Sequence, residues 1–427
     1  MVTRLGVFED AGHARLAPLT HLRPVFALWS GIAPAWQRLE ALYGVPVAVT
    51  RCRASMSAWC EREMPGVRGD GILPAERVLL VNGALFASLE LPAEIPLDGP
   101  DEIIASGDRI VAVRTSAVSL ADLPNAPLPR NLRDDALPRA LASLPIHESA
   151  FALAEHTWDF VAENESRLRE DFEIFAGLIE ARRIAKADDI GVDCFIGDGA
   201  TLSSKASLDA SEGPILIGAG VTVEPFAFIK GPAFIGAGAR VRAGCRLEGG
   251  STVAPGCRIG GEVEASILYP FMNKQHDGFL GHSIVGSWTN LGAGFITSDL
   301  KNTYGTVRSS VAGERVDTGS TKLGAIIGDH AKIGIGTLLA AGTVIGTAAQ
   351  IAGVPGVVSG VAPSFAWWTG ESRAPHDIER AVETARTVVS RRGRALEPDE
   401  ETLLRALFAS DEIVRERDLW LAAARTR

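Results

Sequence analysis

From residue 217 onward an aliphatic side chain recurs at every sixth position: Ile217, Val223, Ile229, Ile235, Val241, Leu247, Val253 and Ile259. With roughly a quarter to a third of positions aliphatic, eight hits in one register arise by chance with odds on the order of one in ten thousand or less. A hexapeptide of this kind supplies one short strand and one tight turn. Its aliphatic residue points inward, and a glycine or small residue, as in IGAG, takes the unusual backbone angles of the turn. Three hexapeptides close one triangular coil, so the pattern predicts a parallel β-helix. The beat returns at Val285 and Leu291, then at Ile327, Ile333, Leu339, Ile345, Ile351 and Val357, which extends the β-helix over about 187 to 365. It fails at roughly 261 to 280 and again at roughly 297 to 322. Insertions into a repeat array become loops on one face, so two excursions flanking NLGAG predict one site there. From about 373 the spacing turns helical, with Leu403, Leu404, Leu407 and Phe408 on one face and acidic residues early in the helix, so 373–427 is a helical C-terminal segment.

Composition narrows the function classes. At 427 residues, 46% hydrophobic and 22% charged, the chain supports two or three domains with their own cores. A net charge of -10 and a pI near 5.4 argue against a nucleic-acid surface, which needs a basic face. The opening MVTRLGVFEDAGHAR lacks the regions of a signal peptide, and no apolar run reaches the roughly 20 residues that span a bilayer, so a cytoplasmic protein with no membrane partner is expected. Cys52, Cys60, Cys194, Cys245 and Cys257 form no CxxC pair, and they read as buried small hydrophobes.

The stretch NKQHDGFLGHSIVGSWTNLGAGFITSDLKN, residues 273 to 302, concentrates the polar chemistry of the repeat region. With VDTGSTKLGAIIGDHAKIGIGTLLAAGTVIG after it, this region resembles the acetyltransferase half of the bifunctional sugar-1-phosphate nucleotidyltransferase/acetyltransferases, the family that makes UDP-N-acetylglucosamine. It is most similar to a branch named only as sugar nucleotidyltransferases. The resemblance covers about residues 260 to 350 and implies the left hand of the β-helix, acetyl-CoA as co-substrate, and a homotrimer with each site between two subunits. It also implies the roles. His276, three residues before an aromatic-aliphatic-Gly step, falls at the general base, and imidazole titrates where an attacking amine must lose its proton. Asn290 falls at the sugar contact, and Ala293 at the residue whose backbone N–H faces the thioester carbonyl and stabilises the oxyanion. Lys301 and Arg308 fall among the basic loop residues that hold the sugar phosphate. Two positions depart from the family: Phe279 replaces a tyrosine, and Asp299 places a carboxylate near an expected phosphate or pantetheine contact.

Other readings stand beside these. His282 is a supporting residue of the site or a hydrogen-bonded core histidine. Two nearby histidines also resemble the hexapeptide carbonic anhydrases, which hold zinc through three histidines, but the H-x4-H spacing is missing and no metal site is expected. Trp288, Trp367 and Trp368 either cap the adenine of coenzyme A or shield the β-helix from water.

The N-terminal VFEDAGHARLAPLTHLRPVFAL resembles the nucleotidyltransferase signature over Gly12, Arg15, Leu16, Pro18, Leu19, Thr20 and Pro24. The resemblance implies an α/β, degenerate Rossmann-like domain over 1–180. It also makes Arg15, Thr20 and Asn82 candidates for a sugar-phosphate or nucleotide site. The glycines that wrap a triphosphate are replaced by His13-Ala14, and the neutralising lysine by Val25. VLLVNGALFA gives Asn82-Gly83-Ala84 where the family ends in a carboxylate metal ligand, so Mg2+ is expected only if this domain is active. WDFVAENESRLREDFEIF, 158 to 175, resembles the helix that closes the domain.

Two classes of function follow. One is an acyl-CoA-dependent acyltransferase acting on an amino-sugar phosphate or nucleotide-linked amino sugar, with or without nucleotidyl transfer. The other is a non-catalytic binding or regulatory protein of the same architecture, as in the β-helix subunits of the translation guanine-exchange complex. The acceptor sugar, the acyl chain and the acceptor atom are not readable from the residues.

Overall fold

The computed structural model describes residues 3–67, 77–116, 126–133, 137–175, 181–183 and 193–425. The expected limits at 180 and 187 lie outside the described residues. The chain forms two compact units: Met1–Leu16, Leu22–Leu28 and Ala33–His156 in the first, and Ala17–His21, Trp29–Ile32 and Thr157–Arg427 in the second.

The first unit is α/β. Its six-stranded sheet runs Val47–Arg51, Thr3–Phe8, Arg77–Asn82, Arg109–Ser116, Glu102–Ser106, Ile146–Glu148. The first three strands are parallel, and Arg109–Ser116 pairs antiparallel with both neighbours. Val78, Leu79, Leu80 and Val81 are all buried, the near-continuous apolar run of a strand covered on both faces. Helix Ala35–Tyr43 ends at Gly44, whose φ of 66° closes the left-handed C-terminal turn at no steric cost.

The second unit is a parallel β-helix of three sheets. Among the described residues the first and second sheets have nine parallel strands each plus one antiparallel end strand, Ala181–Arg183 and Ser372–Pro375 respectively; the third is divided into five strands, Ser207–Asp209 through Phe279–Gly281, and three, Ile296–Thr297, Leu338–Leu339 and Val357–Val358. The six-residue aliphatics from Ile217 to Ile259, with Val285, Leu291, Ile327, Ile333, Leu339, Ile345 and Ile351, line one continuous buried core, whereas the expected Val357 is exposed and Val358 takes the inward place. Cys194, Cys245 and Cys257 are part of that core, and all five cysteines are buried thiols outside any disulfide.

Two expectations change here. The stretch 261 to 280 is not a loop: strands Glu262–Glu264, Ile267–Leu268, Asn273–Lys274 and Phe279–Gly281 carry the β-helix through it. Gly238, Gly256, Phe271 and Trp288 occupy the same corner of successive coils, linked by N–H donation to the coil below. The coil from Gly256 to Phe271 is therefore shorter than its neighbours, which breaks the six-residue beat without breaking the fold. Only 297 to 322 is an excursion, built on the antiparallel hairpin Arg308–Val311 and Glu314–Asp317. Second, positive φ at that corner is not reserved for small residues, since Phe271 (65°), Trp288 (60°), His330 (57°) and Phe365 (57°) adopt it. Each costs about 1–2 kcal/mol of local strain. Packing offsets it: Phe271 and Trp288 stack at 4.4 Å, and Phe365 meets Phe408 edge-on at 5.2 Å.

Helix Thr157–Phe175, expected to close the first domain, belongs to the second unit. Its Asn164 donates to Gly250 O (2.8 Å) and accepts from Gly31 N–H (2.7 Å), and Asp171 accepts from Ile32 N–H (2.8 Å). The buried amide and carboxylate so hold both the segment 29–32 and the first sheet. The C-terminal segment folds as three helices, Ile378–Ser390, Pro398–Ala409 and Asp411–Arg425, with Leu403 and Leu404 buried. Glu400 reaches the buried His330 at 2.7 Å, and Arg373 lies between the rings of Trp368 and Trp420. Trp288, Trp368 and Trp420 thus serve as packing residues of the coil.

Candidate active site

His276 sits in the four-residue turn between Asn273–Lys274 on the second sheet and Phe279–Gly281 on the third. One coil on, Ala293 and Gly294 occupy the same corner between Asn290–Leu291 and Ile296–Thr297. The two corners are joined directly, because Gly294 N–H donates to Asp277 O at 2.9 Å, and Gly336 N–H continues the column onto Ala293 O at 2.8 Å. His276, Ala293 and Gly294 are all exposed. Asn290 lies on the strand leading into this corner, and its Oδ1 accepts from Asn273 Nδ2 at 2.7 Å. The structure therefore gathers His276, Asn290 and Ala293 on one edge of two successive coils. Among the described residues nothing hydrogen-bonds the His276 ring.

Beneath this edge lies a residue that sequence reasoning missed. Lys274 is 1% exposed, and its ammonium donates to Gly260 O (2.8 Å), His276 O (3.1 Å) and Gly278 O (3.0 Å). Burial pushes its pKa down to about 8. The available signal was a lysine at an inward register position, which the shortened coil concealed.

At the other end of the strand Phe279–Gly281 stands a second histidine. His282 Nδ1 lies 2.7 Å from Asp299 Oδ2, both side chains largely buried. Burial raises the Asp299 pKa, but the His282 hydrogen bond and charge outweigh it and hold the carboxyl below its ordinary value. Gly281 makes this possible, since a Cβ there would stand 2.6 Å from Asp299 Oδ2. Asp299, expected among the substrate contacts, is thus the partner of His282. Phe279 is half-buried on the outer face of the same strand. Lys301 and Arg308 lie on the excursion that follows: the Lys301 ammonium donates to Thr306 O at 3.0 Å, and the Arg308 guanidinium is exposed.

In the first unit the corresponding crevice lies at the carboxyl ends of the parallel strands, where α/β sheets take their ligands. Here it is filled by ion pairs. Asp10 accepts from Gly12 N–H (2.7 Å), Asn82 Nδ2 (2.9 Å) and Arg109 (2.9 Å), while the fully buried Glu9 accepts from Arg53 and from Val25 N–H. The Asn82 Oδ1 accepts from Ala84 N–H, and its Nδ2 also donates to Ile110 O. Arg15, Arg109 and Arg130 converge on Glu155, and Arg15 also meets His156 at 2.7 Å. Burial, and next the charge of Arg53, hold the His13 pKa below its ordinary value. A catalytic Mg2+ does not fit this donor set: Asp10 and Glu9 are already neutralised by arginines, and among the described residues no group of three or more His, Cys, Asp or Glu could hold a metal. Thr20 is buried and counts with the second unit.

Residues 5–178 match the sugar nucleotidyl transferase family. The chain is similar to a bifunctional sugar-1-phosphate nucleotidylyltransferase/acetyltransferase of Sulfurisphaera tokodaii, 34% identical over 97 residues, 23% of this chain and 24% of the relative. The match thus spans about a quarter of that relative's length. Among solved structures, a polysialic-acid-specific acetyltransferase aligns over 44% of this chain and 80% of its own, at 10% identity and a TM-score of 0.24. A polysialic acid O-acetyltransferase aligns over 44% of this chain and 86% of its own, at 14% identity and a TM-score of 0.20.

Proposed function

We propose that this protein is an acyltransferase that moves an acetyl group from acetyl-CoA to the amine of an amino-sugar phosphate or nucleotide-linked amino sugar. The observation that carries the reading is the hydrogen-bonded stacking of the His276 turn against the Ala293–Gly294 turn on one exposed corner. In the proposed reaction His276 takes the proton of the attacking amine. The tetrahedral intermediate places its oxyanion at the Ala293 N–H, and collapse expels the coenzyme A thiolate, which takes a proton from the imidazolium. Asn290 contacts the sugar, and Arg308, with Lys301 behind it, supplies the cationic side for the phosphate.

The site reads as one face of an assembly. Ile296, Leu338 and Val357 stand in strict register on the outer face of the third sheet, and all three are exposed. An aligned apolar ladder of this kind, beside the His276 corner, suits a homotrimer in which a neighbouring subunit completes the site. The first unit, with Arg15 and Arg130 at its crevice, is proposed to bind an anionic sugar phosphate or nucleotide without metal-dependent nucleotidyl transfer. No helix among the described residues is long and apolar enough to cross a membrane, and a cytoplasmic setting suits the substrates proposed.

A second reading of the base has its own observation. The His282–Asp299 pair is an imidazole oriented by a carboxylate, the arrangement that fixes a general base. A thiol-release assay with acetyl-CoA and a panel of amino-sugar phosphates and UDP-amino sugars separates the readings. We expect turnover in the wild type, loss in His276→Ala and retention in His282→Ala; the reverse pattern moves the base to His282. Absence of turnover together with absence of coenzyme A binding sinks the enzyme reading in favour of a binding protein.

A further inference from the structure

One column of inward-facing side chains in the second sheet runs Val223, Val241, Ile259, Lys274, with Leu291, Ile333 and Ile351 beyond it. Asn273 is in register with Asn290, which sets Lys274 under Leu291. Every other named member of the column is aliphatic, and lysine is almost never fully buried unless its charge is met. Here it is met by three backbone carbonyls, one for each ammonium hydrogen, and no carboxylate is among them.

The identity of those carbonyls matters more than their number. Gly260 O belongs to the shortened corner of the coil below. His276 O and Gly278 O flank Asp277, whose own carbonyl receives Gly294 N–H from the coil above. The ammonium thus fastens from beneath the turn that Gly294 fastens from above. His276 itself is exposed, and among the described residues no group hydrogen-bonds its ring, so the direction of the imidazole is set by the backbone that carries it.

We propose that Lys274 is a positioning residue for His276: by holding the carbonyls of residues 276 and 278, it fixes the turn that carries the imidazole beside the Ala293–Gly294 turn. The assignment rests on the reading of His276 as the base. An aliphatic side chain in this column fills the core equally well but leaves the His276 carbonyl free to turn toward water and Gly278 O held by the Glu262 N–H alone, which loosens the corner. A displacement of about 1 Å at a catalytic group is enough to lower a rate about 100-fold.

A double-mutant cycle over Lys274→Met and His276→Ala tests this, with single-turnover thiol release and KM for acetyl-CoA as readouts. Lys274→Leu, which matches the residue of the coil above, runs in parallel, and circular dichroism identifies the folded variant. The expected result is a fall in kcat of roughly 10- to 100-fold with KM for acetyl-CoA changed less than about 3-fold. On the His276→Ala background the same substitution is expected to lower the residual rate by less than about 3-fold, because its effect passes through the missing imidazole. A folded Lys274 variant with kcat within about 2-fold of wild type, or losses that multiply in the double variant, overturns the proposal. Full turnover in His276→Ala overturns instead the reading on which it rests. Histidine side-chain relaxation in the wild type needs no variant: a His276 ring as mobile as that of the exposed His147 also overturns the proposal.

Discussion

Replacing Lys274 by methionine should change the stability of the β-helix by an amount that depends strongly on pH. In the folded protein the ammonium is removed from water and its pKa falls from 10.5 to about 8. The unfolded chain therefore binds more protons than the folded one between about pH 8 and 10.5, and the linkage slope makes the folded state gain stability as pH rises through that window. Each pH unit that separates the folded from the unfolded value is equivalent to about 1.4 kcal/mol, so the charged lysine costs roughly 3 kcal/mol below pH 8, and this cost is gone above pH 10.5. Methionine carries no such cost at any pH but leaves Gly260 O, in a buried corner, without its donor, a loss of about 1–3 kcal/mol. The two effects nearly cancel at pH 7, so the variant should unfold within about 1–2 kcal/mol of wild type there. Near pH 10.5 the wild type should pull ahead by up to about 3 kcal/mol relative to its standing at pH 7. Parallel urea titrations of both proteins at pH 7, 8.5, 9.5 and 10.5 measure the difference and cancel the other groups that titrate in the window. A difference that stays flat within about 0.5 kcal/mol across the series would refute the claim that Lys274 is buried as a desolvated cation.

Two further outcomes are expected. Glu416, in the last helix, has its pKa raised to about 7 by burial and by the neighbouring Glu412. The folded state thus binds more protons than the unfolded one between about pH 4.5 and 7, stability falls across that range, and Glu416→Gln should raise the melting point at pH 8. After discounting for its partial exposure the gain is about 1 kcal/mol, with little change at pH 4.5, and a melting point that rises equally at both pH values contradicts the assignment. Leu338→Asp, in the middle of the exposed ladder Ile296–Leu338–Val357, should leave the coil folded and convert the proposed trimer to monomers in sedimentation velocity; an unchanged sedimentation coefficient rejects that face as the interface.

What the sequence disclosed and what it hid divide along a physical line. The inward aliphatics were legible because a coil must bury the same positions at every turn, and Ile217, Val241 and Ile259 have no other way to satisfy the core. His276, Asn290 and Ala293 were picked out through the family resemblance rather than the repeat, and the structure adds that corner residues of adjacent coils are stacked. The coil between Gly256 and Phe271 was not legible as a coil, since dropping residues at a corner shifts the beat while the strands stay paired. Lys274 was lost with it. The pairing of His282 with Asp299 depended on a glycine at 281 that leaves room for the carboxylate, a steric fact with no periodic signature. Trp29–Ile32 could not be assigned to the second unit from local pattern either, because its partners are Asn164, Asp171 and Thr252, far along the chain.

The first unit carries a different kind of departure, and the residues that break the nucleotidyltransferase signature explain each other. A triphosphate cradle works because backbone N–H groups and a lysine converge on a site with no charge of its own. In this chain the N–H of Gly12 is already taken by the Asp10 carboxylate, and that carboxylate is held by Arg109 and Asn82. Val25 stands where the lysine would be, and its N–H is taken by Glu9, which Arg53 neutralises. Two internal carboxylates thus engage the groups that an incoming phosphate would need. Displacing either one would break an ion pair whose carboxylate is buried, at a cost of about 3–5 kcal/mol, more than a single charge-assisted phosphate contact returns. Glu155 is the exception, since it is more than one-third exposed and three arginines surround it, so it can swing to solvent without leaving a buried charge behind. Among the described residues, an anion that binds this unit therefore meets its most accessible point of attachment at Arg15, Arg109 and Arg130. That point favours a monoanionic or dianionic sugar phosphate over a metal-chelated triphosphate.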